Sequence, residues 1–206
     1  KQKPKRFSPH PIYDHYGDLL PKEQAATQLK LDSNIPYLLF FGFIRSYKGL
    51  DLLLEALSDD RLQTWNAKLI VAGEFYEDSK SYMDTIERLK LQDRVILNTS
   101  FIPNNKVNLF FSIADLIVQP YKTATQSGVT QIAFHFEKPM LVTNVGGLAE
   151  IVPHNKAGYV AEPNAKSIAD SLVDFYKKPS TFKEGIQMEK QKYTWDKLTK
   201  TILSKG

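Results

Sequence analysis

The sequence predicts a doubly wound α/β fold, a parallel sheet of about six strands flanked by helices. Three observations lead there. Short apolar runs alternate with amphipathic segments along most of the chain. Several of these runs are apolar without interruption, the pattern of strands buried on both faces of a parallel sheet. The chain has 206 residues with 42% hydrophobic content, enough for a sizeable core.

A proline-containing leader comes first, and its basic cluster Lys1, Lys3, Lys5 and Arg6 reads as solvated. Lys22 to Leu31 follows as a short helix. Strands are predicted at Tyr37 to Phe43, Lys68 to Ala72, Val95 to Leu97, Leu116 to Gln119, Met140 to Thr143 and Gly158 to Ala161. Between them lie helices at Leu50 to Ser58, Ser79 to Lys90, Lys106 to Ser112, Gly128 to Phe136 and Ala165 to Lys177. The chain thus divides into a leader or connection (1–34), the α/β domain (35–178) and a helical C-terminal segment (179–206). Right-handed crossovers bring all strand carboxyl ends to one edge, where such sheets bind ligands at a topological switch point. The loops after the strands are therefore the functional candidates.

Composition removes several classes. With no cysteine, a disulfide framework, a thiolate metal site and a cysteine nucleophile are excluded. No apolar run reaches the roughly 18 to 20 residues of a spanning helix, and no signal peptide opens the sequence, so the expectation is a soluble, cytoplasmic protein. The net charge of +4 is spread out, without the basic stripe or module of a nucleic-acid binder.

Three loops carry the chemistry. In the first, the run ending at Ile44 breaks into a turn with Arg45 and Lys48, and a helix starts at Gly49. Unpaired N–H groups and the helix dipole favour an anion there, and the two cations add charge. A solvated strand-to-helix loop explains this segment equally well by itself. In the second, Pro120 to Val129 leads into a helix with an apolar stripe of Val129, Ile132, Ala133 and Phe136. Ser127 reads as an N-cap, yet paired with the first turn this loop would hold a diphosphate between two helix N-termini. The third, Asn144 to Val152, contains Gly146 and Gly147, which permit positive φ and close backbone approach or simply a tight turn. The loop Asn98 to Asn105 could offer backbone groups to a planar base.

Several segments together resemble the C-terminal, donor-binding domain of GT-B fold glycosyltransferases of family 4 (glycosyl transferases group 1). In order, they are Phe41-Gly42 through Lys48-Gly49 with Leu52 to Ala56, Leu69 to Glu74, Ile113 to Pro120, Glu137 to Thr143, Val145 to Val152 and Ala157 to Val160, closed by Tyr193 to Leu198. The resemblance covers roughly residues 36 to 198. It implies a Rossmann-like half of a GT-B fold and a retaining sugar transfer from a UDP- or GDP-linked donor, without a metal. It assigns Arg45 and Lys48 the catalytic contacts to the diphosphate, and gives Gly42, Gly49, Ile102, Thr125, Gln126, Ser127, Gly128 and Val129 to the donor site.

This sequence departs from the family pattern in two places. Phe43 follows Gly42 where relatives carry a basic residue, so only Lys48 matches position for position. The two carboxylates of the usual Glu-x7-Glu motif fall on Ala124 and Ile132, leaving Thr125, Gln126 or Ser127 to substitute. Glu137 and Glu150 read as helix-end or loop carboxylates. The resemblance also implies an N-terminal acceptor-binding domain in cis that is outside this chain, so that the 206 residues alone would be an inactive fragment, with the leader around His10, Asp14 and His15 as the interdomain connection. His135 and His154 have no evident catalytic partners in the sequence. The implied setting is bacterial surface polysaccharide synthesis, with peripheral membrane contact through the full-length enzyme. A non-catalytic nucleotide-binding or partner module of the same fold is the alternative. A nicotinamide oxidoreductase and a phosphoryl-transfer NTPase lack their glycine-rich motifs here.

Overall fold

The structure, a computed structural model, describes residues 10–177 and 181–203. The basic cluster at Lys1 to Arg6 lies outside the described residues. In chain order the elements are α1 (Lys22–Leu29), β1 (Tyr37–Phe41), a 3-10 turn (Ser46–Lys48), α2 (Leu50–Leu57), α3 (Asp60–Gln63), β2 (Lys68–Ala72), α4 (Lys80–Arg88), β3 (Val95–Asn98), α5 (Asn104–Ile113), β4 (Leu116–Gln119), α6 (Gly128–His135), β5 (Met140–Thr143), α7 (Leu148–Ile151), β6 (Gly158–Ala161), α8 (Ala165–Lys177), α9 (Lys183–Lys190) and α10 (Trp195–Leu203). All six strands join one parallel sheet in the order β3-β2-β1-β4-β5-β6. This is the doubly wound sheet the apolar runs predict.

Differences from expectation are confined to ends and short turns. β1 stops at Phe41, because Gly42 takes φ +92° and turns the chain out of the sheet. α1 stops at Leu29, where Lys30 adopts a left-handed conformation (φ 56°) and its N–H reaches Ala26 O and Thr27 O. α5 begins earlier than expected, directly after Pro103. The single-turn helices α3 and α7 have no periodic signal because four residues hold no full stripe.

β1 and β4 are neighbours at the centre, and their registration is secured at the amino ends of the strands. Asp115 Oδ2 accepts from the Tyr37 N–H at 2.7 Å and from Lys22 Nζ at 2.8 Å, while the Asp115 N–H donates to Tyr37 O. After β1 the chain winds toward β2, and after β4 toward β5, so the carboxyl ends of these two strands border the switch-point crevice. The leader and the C-terminal segment meet on this body. The Ile12 N–H donates to Tyr193 O, and Ile12, Phe182, Ile186 and Tyr193 belong to the same buried core as the sheet.

Candidate functional site

The loop after β1 delivers one buried cation. Gly42 turns out of the sheet, and a Cβ there would stand 3.1 Å from Lys48 Nζ, so the ammonium lies directly over this glycine. Lys48 is only 9% exposed. Its Nζ sits 5.8 Å from the Tyr121 ring centroid and makes no hydrogen bond or ion pair among the described residues. Burial, and then the neighbouring Arg45 charge, lower its pKa to about 8. Tyr121 supplies no counter-charge, since burial pushes its hydroxyl up to about 12. An unpaired cation held this way is short of an anion.

Arg45 is placed differently. Its guanidinium carbon stacks 3.9 Å from the Tyr76 ring centroid, so this cation already has a partner face. Gly49 is also occupied structurally: at φ +71° its missing Cβ would stand 2.0 Å from Pro120 O, and the Lys122 N–H donates to Tyr47 O at 2.8 Å. The loops after β1 and β4 are thereby joined.

The loop after β4 presents backbone. Ser127 caps α6 by accepting from the Val129 N–H at 3.2 Å and also hydrogen-bonds the Tyr121 hydroxyl, so its side chain is engaged as the N-cap reading expects. The N–H groups of Gln126, Ser127 and Gly128 donate to nothing among the described residues. From below, the third loop supports this turn. Gly146, at φ +52°, leaves room for Ala124 O, which a Cβ would approach to 1.8 Å, and the Gly147 N–H donates to Thr125 O. The paired glycines pack one loop on another.

Three adjoining cavities collect the predicted residues. Lys48, Gln126, Ser127, Gly128, Val129 and Ile132 line one of about 440 Å³, together with Tyr13, His15, Tyr16, Tyr47 and Tyr121. Gly42 and Ile102 share a smaller, mainly apolar one of about 200 Å³ with Phe41, Phe43 and Phe101. Thr125 lies on a third of about 410 Å³, which also takes in Gln126, Ser127 and Gly128. Arg45 and Gly49 line none of the three.

Ile132 is 5% exposed and Ala124 half-buried. Ile132→Val should cost about 1 kcal/mol of stability and Ile132→Glu clearly more, because the carboxyl must be desolvated or take up a proton. Thermal melts check this, and equal melting of the two variants would place position 132 in open solvent. Glu137 accepts from Lys190 Nζ and Gln187 Nε2 and so ties α9 to the end of α6, as a helix-end carboxylate does. Glu150, in contrast, lines the third cavity. His135 reaches Gly17 O, and His154 Nδ1 accepts from the Val160 N–H, so both rings hold backbone.

Sequence reasoning missed Tyr13 and Tyr121. Tyr13 comes from the leader, packing against Gly128 and beside the rings of His10 and His15. No local pattern places a leader tyrosine over a helix start more than a hundred residues away.

A Rossmann-like sheet with a buried cation and an open helix start at its switch point, neither paired among the described residues, defines an α/β domain built to take an anionic ligand at that edge. The chain belongs to the glycosyl transferases group 1 family, whose model matches residues 21–195. It is 26% identical over 190 residues to a lipopolysaccharide 1,2-N-acetylglucosaminetransferase of Salmonella typhimurium, covering 85% of this chain and 49% of that protein. Its fold matches the C-terminal domain of a group 1 family glycosyl transferase from Francisella tularensis (TM-score 0.71, 19% identity, covering 86% of this chain and 93% of that one). It also matches Anabaena HepE in complex with UDP and glucose (TM-score 0.70, 18% identity, covering 88% and 50%). The chain spans half or less of the length of the curated relatives it matches.

Proposed function

We propose that this chain is the donor-binding half of a retaining glycosyltransferase and holds the diphosphate of a UDP- or GDP-linked sugar at the switch point. The observation that carries the reading is Lys48, buried and unpaired among the described residues, lining one cavity with Gln126, Ser127 and Gly128, whose N–H groups are free among those residues. As the glycosidic bond breaks, charge grows on the departing diphosphate, and a preformed cation with helix-start donors stabilises it. The positive charge comes from the protein, so the reading invokes no metal. The base would lie in the mainly apolar cavity beside Ile102. An acceptor-binding domain in cis would complete the cleft, and the lipopolysaccharide N-acetylglucosaminetransferase of Salmonella supports a role in surface polysaccharide synthesis.

Titration of UDP-glucose and GDP-mannose against the chain tests the proposal. Binding should weaken as pH rises past about 8, since Lys48 then loses its proton; a bound phosphate moves that transition upward. Affinity independent of pH between 7 and 10, or no binding of either, would overturn it. The chain alone should transfer no sugar to candidate acceptors. A non-catalytic nucleotide-binding module fits the apolar residues Ala124 and Ile132, and full-length protein that binds the donor without turnover would favour that second reading.

A further inference from the structure

The leader borders all three cavities of the crevice. Tyr13 lines those of about 440 and 410 Å³, Tyr16 lines the first of these and the small apolar one, and His15 between them lines the one that holds Lys48. The segment is fastened on either side. Before it the Ile12 N–H donates to Tyr193 O at 2.9 Å; after it His135 Nε2 donates to Gly17 O at 2.8 Å, and the Leu20 N–H donates to Ser112 Oγ at 2.9 Å. Tyr13 packs on Gly128 at the start of α6 and Gly17 meets His135 at its end, so the leader runs along this helix. His15 is carried on an anchored stretch.

Its ring is exposed and packs against Tyr16, with centroids 4.2 Å apart and planes tilted by 37°, and meets Tyr13 nearly at right angles at 5.8 Å. These contacts hold the ring, while its nitrogens form no hydrogen bond or ion pair among the described residues. The other titratable groups on the cavity are Lys48 and Tyr47 from the β1 loop, Tyr121 from the β4 loop, and Tyr13 and Tyr16 from the leader itself. No carboxylate among the described residues lines it, and the adjacent Asp14 borders a separate cavity with Lys190 and Tyr193. Phenols ionise near about pH 10, and burial raises Tyr16 and Tyr121 further, so no anion arises from these walls at neutral pH. Each phosphate of a nucleotide sugar carries a negative charge, yet Lys48 alone supplies a buried positive one, since Arg45 lies on Tyr76 and lines none of the cavities. The free N–H groups at the start of α6 bring a dipole and no net charge.

We propose that His15 is the second cation of the diphosphate site, its imidazolium donating an N–H to a phosphate oxygen beside the one that Lys48 meets. The proposal rests on the donor reading for the identity of the anion. It makes the leader one wall of the donor site as well as a connection. It also makes donor affinity fall as pH rises through the range in which imidazole loses its charge, about pH 5 to 8, below the transition of Lys48.

Calorimetric titration of UDP-glucose into the 206-residue chain tests this, for wild type, His15→Phe and His15→Lys, between about pH 5.5 and 7.5. Both phosphates of UDP-glucose are esterified on either side and keep their charge throughout, whereas the terminal phosphate of UDP takes up a proton near about pH 6. Phenylalanine keeps a ring against Tyr16 and removes the charge; lysine keeps the charge and removes the ring. At the acid end His15→Phe should bind about fivefold more weakly than wild type, less than a buried charge-assisted hydrogen bond would give, because His15 is exposed and screened. That ratio should approach one at the alkaline end, and Lys48, present in all three proteins, cancels from it. His15→Lys should match wild type within about twofold at the acid end and exceed it at the alkaline end, where imidazole is neutral and the ammonium is not. Equal binding by His15→Phe and wild type at every pH, or full binding by His15→Phe with loss in His15→Lys, would overturn the charge role and leave the Lys48 reading intact. If wild type binds no UDP-glucose the donor reading falls, and inorganic pyrophosphate titrated into the same three proteins decides His15 separately. Weaker pyrophosphate binding in His15→Phe alone supports a cation there; equal binding in all three, or none, overturns it.

Discussion

Lys48→Met should raise the melting temperature by roughly 5 °C at pH 7 and lower affinity for a nucleoside diphosphate at least tenfold. The folded state lowers this lysine from 10.5 to about 8, chiefly by burial, which corresponds to roughly 3 kcal/mol against the charged form. Methionine keeps the apolar stem and removes the charge. For a chain of this size each kcal/mol is worth roughly 2–4 °C, and some of the gain is lost to imperfect packing. Because the folded value lies below the unfolded one, the penalty is fully present below about pH 8 and is relieved as pH rises toward 10.5. The advantage of the variant should therefore shrink across that window as the wild type recovers. Lys138, also lowered to about 8 by burial, titrates in the same range in both proteins, so the difference between them isolates Lys48. The affinity loss reflects one charge-assisted hydrogen bond, about 1.5–3 kcal/mol. Arg45→Ala should cost less, since that guanidinium is stacked on Tyr76 and lines none of the three cavities. A variant that melts lower and binds as tightly as wild type would remove Lys48 from the site.

Gly146→Ala should destabilise the chain by about 3 kcal/mol or more, whereas Gly147→Ala should cost about 1 kcal/mol or less. The two glycines adjoin in sequence and differ in surroundings. At position 146 a methyl group would stand 1.8 Å from Ala124 O and 2.7 Å from its carbonyl carbon, in a backbone at φ +52° that L side chains rarely adopt. Backbone cannot swing aside as a side chain would. At position 147 φ is −87° and the nearest atom, Thr125 O, would be 3.1 Å away, so a small shift suffices. Since Gly146 supports the turn that carries Gln126 to Gly128, its replacement should also weaken diphosphate binding, measurable by titration beside the thermal melts. Similar melting temperatures for the two alanine variants would show that the third loop yields, and that the β4 loop is not held from below.

The sheet was largely legible because its information is local. Uninterrupted apolar runs such as Leu69 to Ala72 and Met140 to Val142 announce strands covered on both faces, and these residues are fully buried in the structure. Serine and glycine before Val129 announce a helix start, and Ser127 caps it. The family resemblance, read from motifs in order, reached the same group that the family model identifies.

The division of labour within the site was not legible. Arg45 and Lys48 look alike as loop cations three residues apart, yet one lies on Tyr76 and the other is buried over Gly42 beneath Tyr121. The same holds for Gly146 and Gly147, for Tyr13 over α6, and for His15, whose leader gives no sign of the cavity it lines. The sequence by itself determined the class of fold, the loops that matter and where helices begin, because spacing and backbone preference act within a few residues. Only the tertiary structure decided which cation lacks a partner, which glycine admits no side chain and which leader residues border a cavity. Those properties arise when segments distant along the chain are brought into contact, and desolvation and steric exclusion depend on what surrounds a group on every side.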